Sequence, residues 1–166
     1  MTKKAIKSTI RILTGGSSAL DKAYDEAVKI IEGQLSGEAE LAKRVLSWIT
    51  YAKRQLTTEE LSYALSVEVG TPELDEDNIP DIEDMISVSA GLVTADEESD
   101  VIRLVHYTTQ EYFERKGKAW NPTIQEEMAA KCLSYLSFDT FDSGHCCNDE
   151  EFELRIKRNP FLYYAA

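Results

Sequence analysis

The chain has 166 residues, 30 acidic against 18 basic side chains, a formal charge of −12 and 43% hydrophobic residues. That balance disfavours a nucleic-acid binder, which needs a basic face to displace counterions, and it fits one globular domain with appended helices rather than a disordered chain. No run approaches the roughly 18 apolar residues of a membrane helix, and residues 1–7 lack the apolar stretch of a secretion signal.

Residues 18–34 place Leu20, Ala23, Tyr24, Ala27, Ile30 and Ile31 at helical spacing behind a capping-box-like Ser18-Ala19-Leu20-Asp21. This predicts an amphipathic linker helix, with Thr14-Gly15-Gly16-Ser17 as a joint before it. Ser36-Gly37 is expected to cap a second helix striped by Leu41, Val45, Trp48, Ile49 and Ala52, which a basic turn, Lys53-Arg54-Gln55, ends. Thr57-Thr58-Glu59-Glu60 is a capping box for a third helix, with Leu61, Ala64 and Leu65 on one face. Residues 73–100 carry eleven acidic side chains before Arg103 brings the next positive charge. Within them Pro80 stands at the start of a short fourth helix with Ile82, Met85 and Ile86, its carboxylates favoured in the first turn by the helix dipole.

Gly91-Leu92-Val93-Thr94-Ala95 and Val101-Ile102-Arg103-Leu104-Val105 flank the polar tip Asp96-Glu97-Glu98-Ser99-Asp100, the pattern of a β-hairpin. Three short helices followed by one hairpin is the order of a winged helix, so the expected fold class is mainly α, with a three-helix core plus a β-hairpin. Thr108-Thr109-Gln110-Glu111 forms a further capping box opening a helix with Tyr112 and Phe113. Beyond Gly117 and Asn121-Pro122, residues Ile124, Met128, Cys132 or Leu133, Tyr135 and Leu136 mark a longer helix, and Asn148 caps another with Phe152 and Ile156. The expected division is 1–34 linker helix region, 35–115 winged-helix domain and 116–166 the start of a helical extension. Asn159-Pro160 opens a helix that stops among apolar residues, the expected look of a fragment of a longer protein.

Chemistry-bearing motifs are missing. There is no Gly-x-x-x-x-Gly-Lys loop to cradle phosphates and no Gly-x-Ser-x-Gly elbow. The carboxylates around Asp75 fail as a calcium loop, because Ile79 and Pro80 occupy positions needing an oxygen ligand and a glycine. Cys132, His145, Cys146 and Cys147 lack Cys-x-x-Cys spacing, and an odd cysteine count with two adjacent fits a reducing, cytoplasmic setting. No catalytic residue and no metal ligand is therefore expected. A DNA-reading winged helix would carry Lys or Arg on its third core helix, but Asp81, Glu83 and Asp84 stand there.

The string Leu104-Val105-His106-Tyr107-Thr108-Thr109-Gln110-Glu111-Tyr112-Phe113 resembles the end of the winged-helix domain of NACHT-type signalling ATPases, the NOD-like receptor class of STAND ATPases. Leu41-Ala42-Lys43-Arg44-Val45-Leu46-Ser47-Trp48-Ile49, Leu56-Thr57-Thr58-Glu59-Glu60-Leu61, Asp75-Glu76-Asp77 and Gly91-Leu92-Val93 are similar to fungal NACHT proteins that often carry ankyrin repeats. In them the block is named after GPI inositol deacylase, a name that carries no deacylase activity with it. Glu114-Arg115 departs from the small residues that follow the aromatic pair in animal receptors.

The resemblance implies that His106 reaches the β-phosphate of ADP held by an upstream nucleotide domain and so holds an inactive state. ADP or ATP would then belong to the full-length protein, with no cofactor in this fragment. The partners would be the upstream nucleotide-binding domain and a downstream helical or ankyrin-repeat region, with no nucleic acid and no membrane. The alternatives at this stage are that His106 caps its own helix or satisfies a buried carbonyl, and that the chain is an acidic protein-protein interaction scaffold without nucleotide sensing. An enzymatic reading ranks below both and would need a cleft joining a cysteine, His106 or His145, and a carboxylate.

Overall fold

The computed structural model describes residues 17–116 and 120–166; the expected joint at residues 14–16 and the break at Gly117 lie outside them. The central element is helix α2 (Ser36–Tyr51), whose Ala42, Val45, Leu46 and Trp48 are buried. A helix buried on this scale must be covered on several sides, and α2 is packed by the helix before it, by the four helices that follow it and by the last strand of the sheet. Before it lies the linker helix α1 (Ser17–Glu32), which docks through Tyr24 and Ile31. After it come strand β1 (Leu56–Thr57), helix α3 (Thr58–Ser66) and helix α4 (Ile82–Val88). The hairpin follows as β2 (Val93–Asp96) and β3 (Val101–Leu104). The chain is thus mainly α, a winged helix with a three-helix core and a small sheet.

The sheet is antiparallel in the order β1-β3-β2, and Leu56 of β1 lies opposite Ile102 of β3, both buried. β1 was not among the expected elements, because two residues are too few to show an alternating pattern. Its pairing closes the hairpin onto the core instead of leaving β3 as an open edge. The wing tip is built by its acidic residues. Asp96 Oδ1 accepts from the amides of Glu98 and Ser99, both at 3.1 Å, and Asp100 adopts φ +55°. In that conformation the Asp100 carbonyl accepts from the Thr58 amide at 2.9 Å and its carboxylate from the Thr58 hydroxyl, tying the wing to the start of α3.

Helix α3 starts as its sequence predicts: Thr57 Oγ1 accepts from the Glu60 amide at 3.1 Å, and Glu60 Oε2 accepts from the Thr57 amide at 3.0 Å. Glu60 is also clasped by both terminal nitrogens of Arg54, at 2.8 and 2.6 Å. Two other caps differ from expectation. Helix α2 is capped at Leu35, whose amide donates to Glu38 at 3.3 Å, rather than by Ser36. Helix α5 (Tyr107–Lys116) already contains Thr108 in its first turn, so Thr108 is no N-cap, and the capping partner is the ring before it.

The remaining helices are α6 (Ile124–Leu136), α7 (Asp149–Arg158) and the short α8 (Leu162–Ala165), which begins two residues after Pro160. Asn148 caps α7 by accepting from the Glu151 amide at 2.8 Å. Phe161 joins this extension to the core. It is fully buried, with ring centroids 5.8 Å from Trp48 and 5.1 Å from Tyr135, both edge-on. Arg54 lies about 5 Å beneath the rings of Tyr163 and Tyr164, a second tie between core and extension. The third is Lys131 of α6, whose Nζ donates to the carbonyls of Ala64, Leu65 and Val67, where Arg44 also donates to Leu65. Two cations thus gather on the unpaired carbonyls at the end of α3.

Candidate functional site

His106 stands two residues past the end of β3 and immediately before α5, so a strand and a helix fix its backbone. Its ring is exposed and partly stacked on Tyr107, with centroids 4.4 Å apart. An amide N–H can only donate, and that of Thr108 points at His106 Nδ1 at 3.2 Å. Nδ1 is therefore an acceptor, and in the neutral ring the proton belongs on Nε2. The Thr108 hydroxyl lies 2.8 Å from the same nitrogen and, with Nδ1 accepting, is the donor of that pair. So the ring caps α5 with one nitrogen, and among the described residues the other nitrogen has no partner. No buried carbonyl is satisfied by it. One half of the helix-capping alternative is thus a fact of the geometry, and it leaves Nε2–H available.

The ring borders an open cleft of about 470 Å³ between the end of α2, strands β1 and β3, and the start of α5. Ile49, Leu56, Ile102 and Leu104 form an apolar floor, and Arg54, Arg103, His106 and Gln110 form the polar rim. Two of those four are committed. Arg54 is held by Glu60, and Gln110 donates to the Thr50 carbonyl at 2.7 Å and to Glu114 at 2.9 Å. Arg103 is held only at 3.6 Å by Asp96, and its side chain is 54% exposed. A loosely held arginine and a histidine with one unpartnered nitrogen among the described residues therefore line one cleft on a protein whose net charge is −12. Chemically the arrangement donates hydrogen bonds to an anion. Only His106 of this pair was picked out from the sequence. The signal for Arg103 is the two-residue strand period, which turns it outward wherever Ile102 is buried.

Below the ring the network continues. Tyr24 of α1 places its hydroxyl 2.7 Å from Thr108 Oγ1 and accepts from the Thr109 hydroxyl at 3.2 Å. The same helix is pinned to α5 by Arg115 to Asp21 at 2.8 Å and by Lys116 to Asp25 at 2.7 Å. Hydrogen bonds from Lys116 and then from the Tyr112 hydroxyl hold the Asp25 carboxyl below the usual carboxylate range. Burial, then Asp25, pushes the Tyr112 hydroxyl well above its ordinary value.

The other chemistry-bearing residues do not converge. Cys132 lines a separate cleft of about 510 Å³ with Tyr51, Lys53, Gln125, Met128 and Tyr164, where no histidine or carboxylate stands, and burial raises its thiol. The His106 cleft contains no cysteine, and Cys146 and Cys147 are unpaired. Among the described residues no three His, Cys, Asp or Glu side chains are placed to hold a metal ion. Asp75, at the head of the acidic run, instead caps a single helical turn, accepting from the Asp77 amide at 3.1 Å and the Asn78 amide group at 2.9 Å.

Comparison with known proteins bears on residues 29–130, which match the family described as GPI inositol-deacylase, winged helix domain. The match spans α2 to α5 and reaches into α6, covering more than half of the chain and including the cleft. No curated protein and no solved structure matches.

Proposed function

The chain belongs to the GPI inositol-deacylase winged helix domain family, and from that premise we propose that it is a non-catalytic regulatory module of a NACHT-type signalling ATPase of fungal type. In this reading its winged helix packs on an upstream nucleotide domain and holds the ADP-bound inactive state, and its extension leads into a helical or ankyrin-repeat region. It works inside the cell, and the nucleotide belongs to the neighbouring domain. The observation that carries the reading is the exposed imidazole whose Nδ1 is satisfied within the module while Nε2 has no partner among the described residues, in a cleft that Arg103 also lines. A phosphate offered by a neighbour would complete that donor without rearranging the module, so the contact is preorganised. Val105 and Tyr107 flank the histidine at 48% and 69% exposure, an apolar rim suited to being covered by another domain.

The switch then needs no chemistry in this chain. ADP favours the closed arrangement by its contact with His106, and exchange removes that difference, so the module swings away as a rigid body. Hydrogen exchange on the full-length protein tests this. With ADP bound, the segment around residues 104–110 exchanges more slowly than in the ATP state. Equal exchange in both states refutes the docking.

A second reading is favoured by the residues between 73 and 100. Asp75, Glu76, Asp77, Asp81, Glu83, Asp84, Glu97 and Glu98 are exposed, and none of them meets a cation among the described residues. Such a face would steer a basic protein partner whatever the nucleotide state. Capture of a partner that weakens steeply with salt and ignores nucleotide supports that scaffold role over the switch.

A further inference from the structure

The direction of the hydrogen-bond chain beneath His106 can be derived from its donors. The Thr109 hydroxyl donates to the Tyr24 oxygen, so the tyrosine's own proton is left for the only other oxygen in reach among the described residues, Thr108 Oγ1 at 2.7 Å. With that oxygen's accepting side occupied by the tyrosine, the Thr108 proton points to His106 Nδ1 at 2.8 Å. Every proton in the series therefore runs the same way, from Thr109 through Tyr24 and Thr108 to the ring. Without the tyrosine hydroxyl, Thr108 Oγ1 could accept as well as donate, and the Thr108 amide alone would then disfavour a proton on Nδ1.

We propose that Tyr24 of the linker helix is a positioning residue that reinforces the tautomer of His106 set by the Thr108 amide, strengthening the preference for the ring proton on Nε2. Tyr24 is buried and its ring packs at 5.1 Å on that of Tyr112, so its hydroxyl is held where α1 docks on α5. The preference for the His106 donor is consequently assembled from two elements far apart in the chain, and it is strongest while α1 is seated. A neighbouring domain that pulls on α1 would change what the imidazole offers at the cleft, without touching the cleft. This effect on a bound phosphate rests on the reading of His106 given above, whereas the tautomer itself does not.

The test is nitrogen-15 NMR of the two histidine rings in this chain at pH 8.5, with exposed His145 as the internal reference. In the native chain His106 shows a protonated Nε2 and a bare Nδ1. Tyr24→Phe removes the hydroxyl and keeps the ring, and it raises the Nδ1-protonated share relative to the Nε2 form by about 2- to 10-fold, the worth of one neutral hydrogen bond. Thr109→Val, which keeps the amide hydrogen bond to the His106 carbonyl and deletes a hydroxyl that does not bond the ring, shifts the ratio in the same direction. Thr109→Ser, which restores the hydroxyl, returns it to the native value. The valine variant also guards against a Tyr24→Phe chain that does not fold. A native ring protonated on Nδ1, or a ratio unchanged in both hydroxyl-deleted variants, overturns the proposal. Because no nucleotide is present, that failure leaves the phosphate reading standing, and failure of the phosphate reading leaves this result intact.

Discussion

Phe161→Ala removes the side chain that joins the C-terminal extension to the winged-helix core. Phe161 is fully buried, between Trp48 of α2, Tyr135 of α6 and Tyr164 of α8, with centroid distances of 5.8, 5.1 and 5.6 Å. Deleting a buried phenylalanine ring costs about 3–5 kcal/mol in lost transfer energy and residual cavity. Edge-on aromatic pairs add about 0.5–1.5 kcal/mol each, so the upper part of that range applies here. Against a typical urea dependence of about 2 kcal/mol per molar, the unfolding midpoint falls by about 2 M. Urea titration followed by tryptophan fluorescence measures it, because Trp48 lies against the deleted ring. A loss below about 1.5 kcal/mol would refute the reasoning, since it would mean that the ring is not a shared core element. So would an unchanged Trp48 signal while the extension melts on its own, because one core must unfold as one unit.

Glu60→Gln should destabilise the chain by about 1.5–3 kcal/mol, because a nearly buried carboxylate holding both Arg54 and the Thr57 amide is lost. Thermal unfolding of the two chains checks this, and a difference under 0.5 kcal/mol, by the usual scale of a surface substitution, contradicts it. Lys131 supplies a pH test: burial, then Arg44, pushes its ammonium down from 10.5 to about 8. Between those values the unfolded chain binds the extra proton, so stability rises with pH across that window. Lys131→Met abolishes that part of the rise in a series of urea midpoints; identical slopes in both chains would sink the assignment. Asp25→Asn removes a carboxylate held below its ordinary pKa by Lys116 and Tyr112, whose share of stability is lost as pH falls through its folded value. The variant's acid unfolding should therefore be less steep than that of the native chain, and equal steepness would contradict the role given to Asp25.

What could be read from the sequence was what is local. Thr57 with Glu60 and Asn148 with Glu151 satisfy helix amides within three residues, so both starts were legible, and so was the apolar stripe of α2. Ser36 and Thr108 misled for the same reason in reverse. Each has the right side chain for a cap, but Glu38 reaches back to Leu35, and the Thr108 hydroxyl is taken by Tyr24 and His106. Strand β1 was hidden because two residues show no period, and only its register against Val101 and Ile102 defines it. At the site, His106 was legible through the string around it. Tyr24 was not, because 84 residues separate it from Thr108 and an amphipathic helix offers no sign of which buried hydroxyl has a partner. Lys131 was not singled out from the sequence, because three carbonyls distant in the chain, at the end of α3, give it its place.

The central claim is that the outward nitrogen of His106 holds a phosphate on a neighbouring domain. His106→Leu in the full-length protein tests it most directly, with ADP dissociation as the readout. A hydrogen bond to a charged group is worth about 1.5–3 kcal/mol, so ADP should leave about 10- to 150-fold faster. Dissociation at the native rate would contradict the account.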